Sequence, residues 1–80
     1  MKAHVYITLK PSVLDSQGKT IKGALESLGF KGIHDVRMGK YIEVTLTRKT
    51  AAAAKKDVER MCHKLLANPV IEQYRIDVRA

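Results

Sequence analysis

Cysteine occurs once, at Cys62, so no disulfide can form within the chain and a reducing compartment is implied. Long apolar runs are missing: nothing approaches the ~20 residues a helix needs to cross a bilayer. The opening Met1-Lys2-Ala3-His4-Val5-Tyr6-Ile7 alternates polar and apolar residues where a secretory leader would be continuously apolar. A cytoplasmic protein is expected, with no membrane partner. Phosphate-binding loops are also lacking, because Gly18, Gly23, Gly29, Gly32 and Gly39 match neither G-x-x-x-x-G-K-[ST] nor G-x-G-x-x-G. Ligand clusters are absent too. Cys62 and His63 are neighbours pointing about 100° apart on a helix, and His4 and His34 have no partner at metal-ligand spacing.

What is present is a chain of 80 residues with 45% hydrophobic content in clear periodicity, which excludes disorder. A single domain, residues 1–80, is expected. A chain of that size buries only about 60 % of its unfolded surface and can hardly enclose a reactant pocket of roughly 300–1,000 Å³. Partners that complete the fold or the site are therefore expected. The net charge of +7 raises the question of nucleic acid. Lys and Arg are nevertheless spread along the whole chain, with no adjacent group longer than pairs such as Arg48-Lys49 and Lys55-Lys56, and dispersed lysine is ordinarily a solvated surface.

Lys2 to Lys10 reads as a strand, with Ala3, Val5, Ile7 and Leu9 on one face and Pro11 ending it. Asp15 is the expected N-cap of a helix from about Ser16 to Leu28, whose apolar stripe is Ile21, Ala24, Leu25 and Leu28. Gly29 supplies the left-handed position after it, with Phe30 folding back on the cap. Between Ile33 and Thr47 the apolar set Val36, Met38, Ile42, Val44 and Leu46 stays in even phase through Gly39-Lys40. Two arrangements keep that phase: a hairpin with the three-residue loop Gly39-Lys40-Tyr41, or one long strand bent at Gly39. The second leaves an overhang whose backbone groups need another chain. Thr50 caps a second helix, about Ala51 to Ala67, with Asn68 as its left-handed cap and Pro69 as its stop. The last strand carries Val70, Tyr74, Ile76 and Val78 in phase, and Glu72 shares that phase as the one local conflict. The fold class is α+β, with two helices packed on one face of an antiparallel sheet in the order β-α-β(β)-α-β, related to the ferredoxin-like plan.

Cys62 lies within the apolar stripe and reads as a buried, inert thiol. Asp15, Asp35 and Glu43 each have a mundane role as cap or outer-face residue, so no acid–base pair is expected. An RNA- or nucleotide-binding module is the alternative. Tyr6 and Tyr41 would face outward on the sheet as in RRM domains, but Met38-Gly39-Lys40-Tyr41-Ile42 matches the RNP1 pattern poorly, and nucleic acid is not the expected partner.

Three blocks go beyond class: Leu9-Lys10-Pro11-Ser12-Val13-Leu14-Asp15-Ser16-Gln17-Gly18, Asp35-Val36-Arg37-Met38-Gly39-Lys40-Tyr41-Ile42-Glu43, and Met61-Cys62-His63-Lys64-Leu65-Leu66-Ala67-Asn68-Pro69-Val70-Ile71-Glu72-Gln73-Tyr74. In this order they resemble the PurS family, the small subunits of phosphoribosylformylglycinamidine (FGAM) synthase, from Val5 to Val78. Ser16 departs from the proline usual in the family. The resemblance implies a non-catalytic scaffold in purine biosynthesis that bridges a glutaminase (PurQ) and an ATP-dependent synthase (PurL), assists ammonia transfer between them, and forms dimers or tetramers through the sheet. It implies that ATP and Mg are bound by the synthase partner and that this chain binds no cofactor or metal. Placed on the elements above, the motif residues give three expected contact sites. They are the helix-entry loop (Ser12, Asp15, Gln17, Gly18), the Gly39 bend (Arg37, Gly39, Lys40) and the second helix exit (Asn68, Pro69, Glu72, Tyr74). Arg37 and Lys40 lead, since neither has an evident local role in the sequence.

Overall fold

The computed structural model describes residues 1–79. Strand β1 (Lys2–Leu9) lies in the middle of a three-stranded antiparallel sheet, between β2 (Gly39–Thr45) and β3 (Glu72–Arg79). Alternation places Ala3, Val5 and Ile7 on one face, and the central position gives them neighbours on both sides. Val5 is level with Ile42 and Ile76, and Ala3 with Val44 and Val78. All three are fully buried.

Helix α2 (Ala51–Met61) covers that face over β1 and β3. The Thr50 side chain accepts from the Ala53 N–H at 3.1 Å and starts it. The helix then widens into one π-type turn, Cys62–Leu66, closed by the Ala67 N–H on the Cys62 carbonyl at 3.0 Å. The extra residue in the turn keeps both Cys62 and Ala67 against the core with Val58.

Helix α1 (Ser16–Ser27) begins at Asp15 and ends in a Schellman motif, with Gly29 at φ 97°. The Phe30 N–H bonds the Leu25 carbonyl and the Gly29 N–H the Glu26 carbonyl. Yet α1 makes hardly any contact with the strands. It stands off the end of the sheet, leaving Ile21 and Leu28 exposed and Leu25 half-buried. The consequence is an elongated body, 49 × 26 × 14 Å, with a radius of gyration of 15.8 Å where a compact domain of this length has about 12 Å.

The fold class is the expected one, and three local expectations need correction. Of the two arrangements for 33–47, neither the hairpin at Gly39-Lys40-Tyr41 nor the long strand bent at Gly39 forms: residues 30–38 carry no regular secondary structure, and a single shorter strand starts at Gly39 and pairs with β1. Asn68 is not left-handed, since among the described residues positive φ occurs only at Gly29 and Gly32; the helix instead ends where Ala67 turns extended. Phe30 supplies the backbone bond of the cap but not an apolar lid, being 59% exposed.

Candidate interaction site

The helix-entry loop and the Gly39 bend meet at the point where α1 leaves the body, and Asp15 is the centre. Its Oδ1 accepts from the Gly18 N–H at 2.9 Å and its Oδ2 from the Met38 N–H at 2.7 Å. One buried carboxylate thus caps the helix and also fixes the chain entering β2. These two backbone N–H groups, with the Arg37 guanidinium 3.8 Å away, hold the Asp15 carboxyl below the usual carboxylate range against the opposing effect of burial. Arg37 also donates to the carbonyls of Leu9 at 2.8 Å and Lys10 at 3.1 Å, which ties the end of β1 to the same knot.

Close approach explains two glycines here. A Cβ on Gly18 would lie 2.3 Å from the Val36 carbonyl, and one on Gly39 would lie 2.5 Å from the Ile7 carbonyl. Both positions therefore exclude a side chain. Beside the knot is a hollow of about 280 Å³ whose polar lining includes Asp15, Gln17, Lys40 and Glu72.

The second helix exit joins this site only through Glu72. Its carboxylate accepts from the Asn68 N–H at 2.6 Å and stands 3.9 Å from Lys40 Nζ. That resolves the phase conflict, because the inward-pointing charge is half-buried but paired. Asn68 also accepts from the Val70 N–H at 3.1 Å in a local turn, while Pro69 is exposed and makes no hydrogen bond. Tyr74 packs edge-on against His63 at 5.9 Å and edges the core, where desolvation pushes its phenol upward. Ser12 is exposed in the turn that the Val13 N–H closes on the Lys10 carbonyl. Arg37 and Lys40 therefore do have local partners, which removes the reason for ranking them first.

The outer face of the sheet carries Tyr6 and Tyr41 as expected, but their rings are engaged with each other at 5.2 Å. His4 stacks on Tyr41 at 5.9 Å, and Arg75 covers Tyr6 at 4.2 Å. The Tyr41 hydroxyl bonds His4 and donates to Glu43 at 3.2 Å. Partial desolvation and the Glu43 carboxylate push that phenol up, and Lys2 holds Glu43 down. Both rings remain partly exposed, each with a further neighbour packed against it.

Comparison with known proteins agrees with this geometry. The family model described as "PurS: Phosphoribosylformylglycinamidine (FGAM) synthase" matches residues 2–80. The chain belongs to the PurS family. Among PurS relatives, the FGAM synthase subunit of Bacillus subtilis (strain 168) is 48% identical over 96% of this chain and 90% of its own length. That of Methanocaldococcus jannaschii is 46% identical over 96% of this chain and 93% of its own. The crystal structure of M. jannaschii PurS superposes with a TM-score of 0.87 at 45% identity, covering 98% of this chain and 94% of that one. A chain in the structure of PurLQS from Thermotoga maritima gives a TM-score of 0.87 at 30% identity, covering 95% and 93%. PurS chains are small subunits of FGAM synthase, a purine-biosynthetic ligase, and the RNA-binding alternative is not favoured.

Sequence reading missed two features of this PurS-family chain. The first is that α1 stands away from the sheet; its apolar stripe is legible, but a stripe does not say which molecule covers it. The second is Met38, whose backbone N–H joins the knot and whose side chain sits with Ile21 beside α1; no residue type signals a backbone contact.

Proposed function

We propose that this chain is the non-catalytic scaffold of a three-component FGAM synthase, joining a PurL-type synthase and a PurQ-type glutaminase as a self-associated subunit. The observation that carries the reading is the arm: α1 holds Ile21, Leu25 and Leu28 away from its own sheet. Ile21 and Leu28 are exposed and Leu25 is half-buried along one stripe; apolar side chains gathered in this way mark an interaction face, and an arm that cannot bury its stripe alone is completed by a second copy. Residues 33–38, which have no strand partner of their own, run beside it and are available to the same partner. The Asp15 knot fixes the direction of the arm, so its geometry is set before association. ATP and Mg belong to the synthase partner, and the ammonia released by the glutaminase reaches it within the assembly this subunit organises.

Co-expression with the PurL and PurQ proteins of the same source tests the reading. A stable complex containing all three chains, with glutamine-dependent FGAM formation that falls when this chain is omitted, is expected. Full glutamine-dependent activity from PurL and PurQ alone would contradict it.

A further inference from the structure

Folding collects on one helix face a set of charges that the sequence scatters. Six of the cations, including Lys2, Lys40 and Arg48, lie within ion-pairing distance of a carboxylate. Among the described residues the other nine do not, and five of these, Lys49, Lys55, Lys56, Arg60 and Lys64, are exposed on or beside α2, with Lys10, Lys19, Lys31 and Arg75 elsewhere. Asp57 is engaged by Arg48 and also feels Arg60, and Glu59 is the other acid of α2, so the cations outnumber the acids on this face.

Stability does not account for this arrangement. Lys56, Arg60 and Lys64 succeed one another at i, i+4 spacing, where like charges repel by a few tenths of a kcal/mol. Lys49 sits just before the N-cap and the first turn holds no acid, although the helix dipole favours negative charge there. Between the lysines, Ala52 and Ala53 leave a shallow hollow of about 500 Å³ bordered by Lys55, Lys56 and Glu59. Small side chains there let a partner approach the helix closely.

We infer that the solvent face of α2 is the surface by which this subunit docks an acidic face of a protein partner in its complex. The inference rests on the scaffold reading and names the face that serves it. A second copy does not fit, because it would bring the same cations against these. A single-stranded nucleic acid fits less well than an acidic protein, because the ridge has no aromatic side chain and the Tyr6–Tyr41 cluster lies on the opposite side of the sheet. An acidic partner surface would be steered to the ridge over roughly a Debye length.

The test measures binding of this chain to the PurL and PurQ proteins of the same source, at ionic strengths from roughly 0.05 to 0.5 M. Lys55→Glu/Lys56→Glu is compared with Lys19→Glu/Lys31→Glu, which changes the net charge equally at the far end of the molecule. The α2 variant is expected to weaken binding by about tenfold or more, mainly through slower association, and to flatten the salt dependence. The distal variant should stay within about twofold of wild type. All four side chains are exposed, so both variants should keep the wild-type circular dichroism and Tm. Equal binding by wild type and both variants would overturn the docking face while leaving the scaffold reading intact. Failure of the wild type to bind either protein would sink the scaffold reading and this inference with it. Wild-type binding of poly(U) RNA that the α2 variant loses, with partner binding unchanged, would overturn the acidic-protein assignment.

Discussion

The body of this molecule and its arm obey different rules. In the body, β1 is flanked on both edges and roofed by α2, and every inward residue from Ala3 to Ile7 finds apolar neighbours within the chain. In the arm, α1 is as well formed locally, with a side-chain cap at one end and a Schellman motif at the other, yet it buries almost nothing. Isolated helices of this length are marginal in water. Local capping therefore shapes the arm, whereas hydrophobic burial stabilises the body, and the apolar stripe left on the arm is the surface proposed above for a second copy.

The contrast can be broken first at the body. Ile7→Ala should lower unfolding free energy by about 2–5 kcal/mol, a large part of the total for a domain of this size, read by urea denaturation. Leu25→Asp/Leu28→Asp should do the reverse. Self-association should weaken by about a hundredfold or more, as expected when a central apolar contact becomes charged, while the secondary structure of the body persists. Sedimentation velocity separates the two effects, and a collapse of the body sheet in this variant would erase the distinction between arm and body.

Smaller changes sharpen the comparison at the knot. Gly18→Ala forces a methyl against the Val36 carbonyl and should cost about 1–3 kcal/mol, detected by thermal unfolding. Asp15→Asn keeps a cap but loses the charge facing Arg37; amide exchange along 16–28 should quicken while that of β1 is unchanged. Acidification should act in the same sense. Because the folded Asp15 carboxyl titrates below its unfolded counterpart, its contribution is complete above the unfolded value of about pH 3.9 and disappears as pH falls through the lower, folded value. Arm protection factors, which divide out the slowing of intrinsic amide exchange in acid, followed from pH 6 to 3 check this, and their fall should begin at the acid end of that range. Tyr41→Phe, which removes a surface hydroxyl between His4 and Glu43, should change stability by no more than about 1 kcal/mol.

Much of the body was legible because its signals are local and periodic. Alternation locates β1, and the repeat Ala51, Ala54, Val58, Met61 and Leu65 locates the inner side of α2, of which Ala54 and Val58 are buried while Ala51 and Leu65 are exposed. Thr50 and Asp15 cap as their residue types predict. Even phase through Gly39 predicted that Ile42, Val44 and Leu46 share a face, but it could not choose between hairpin and strand, because both preserve the phase. The second contact of Asp15 was invisible, since it reaches the Met38 N–H across 23 positions of sequence and any residue but proline has such a group. The pairing of Asp57 with Arg48 was invisible for a related reason, since it joins a loop residue to the helix across nine positions.

Sedimentation equilibrium of the purified chain across a range of concentrations tests most directly whether the arm is built for a second copy. A mass that is a multiple of the 9.0 kDa chain, returning to the single-chain value in Leu25→Asp/Leu28→Asp, is the predicted result. A wild-type chain that stays at 9.0 kDa at every concentration would contradict the account.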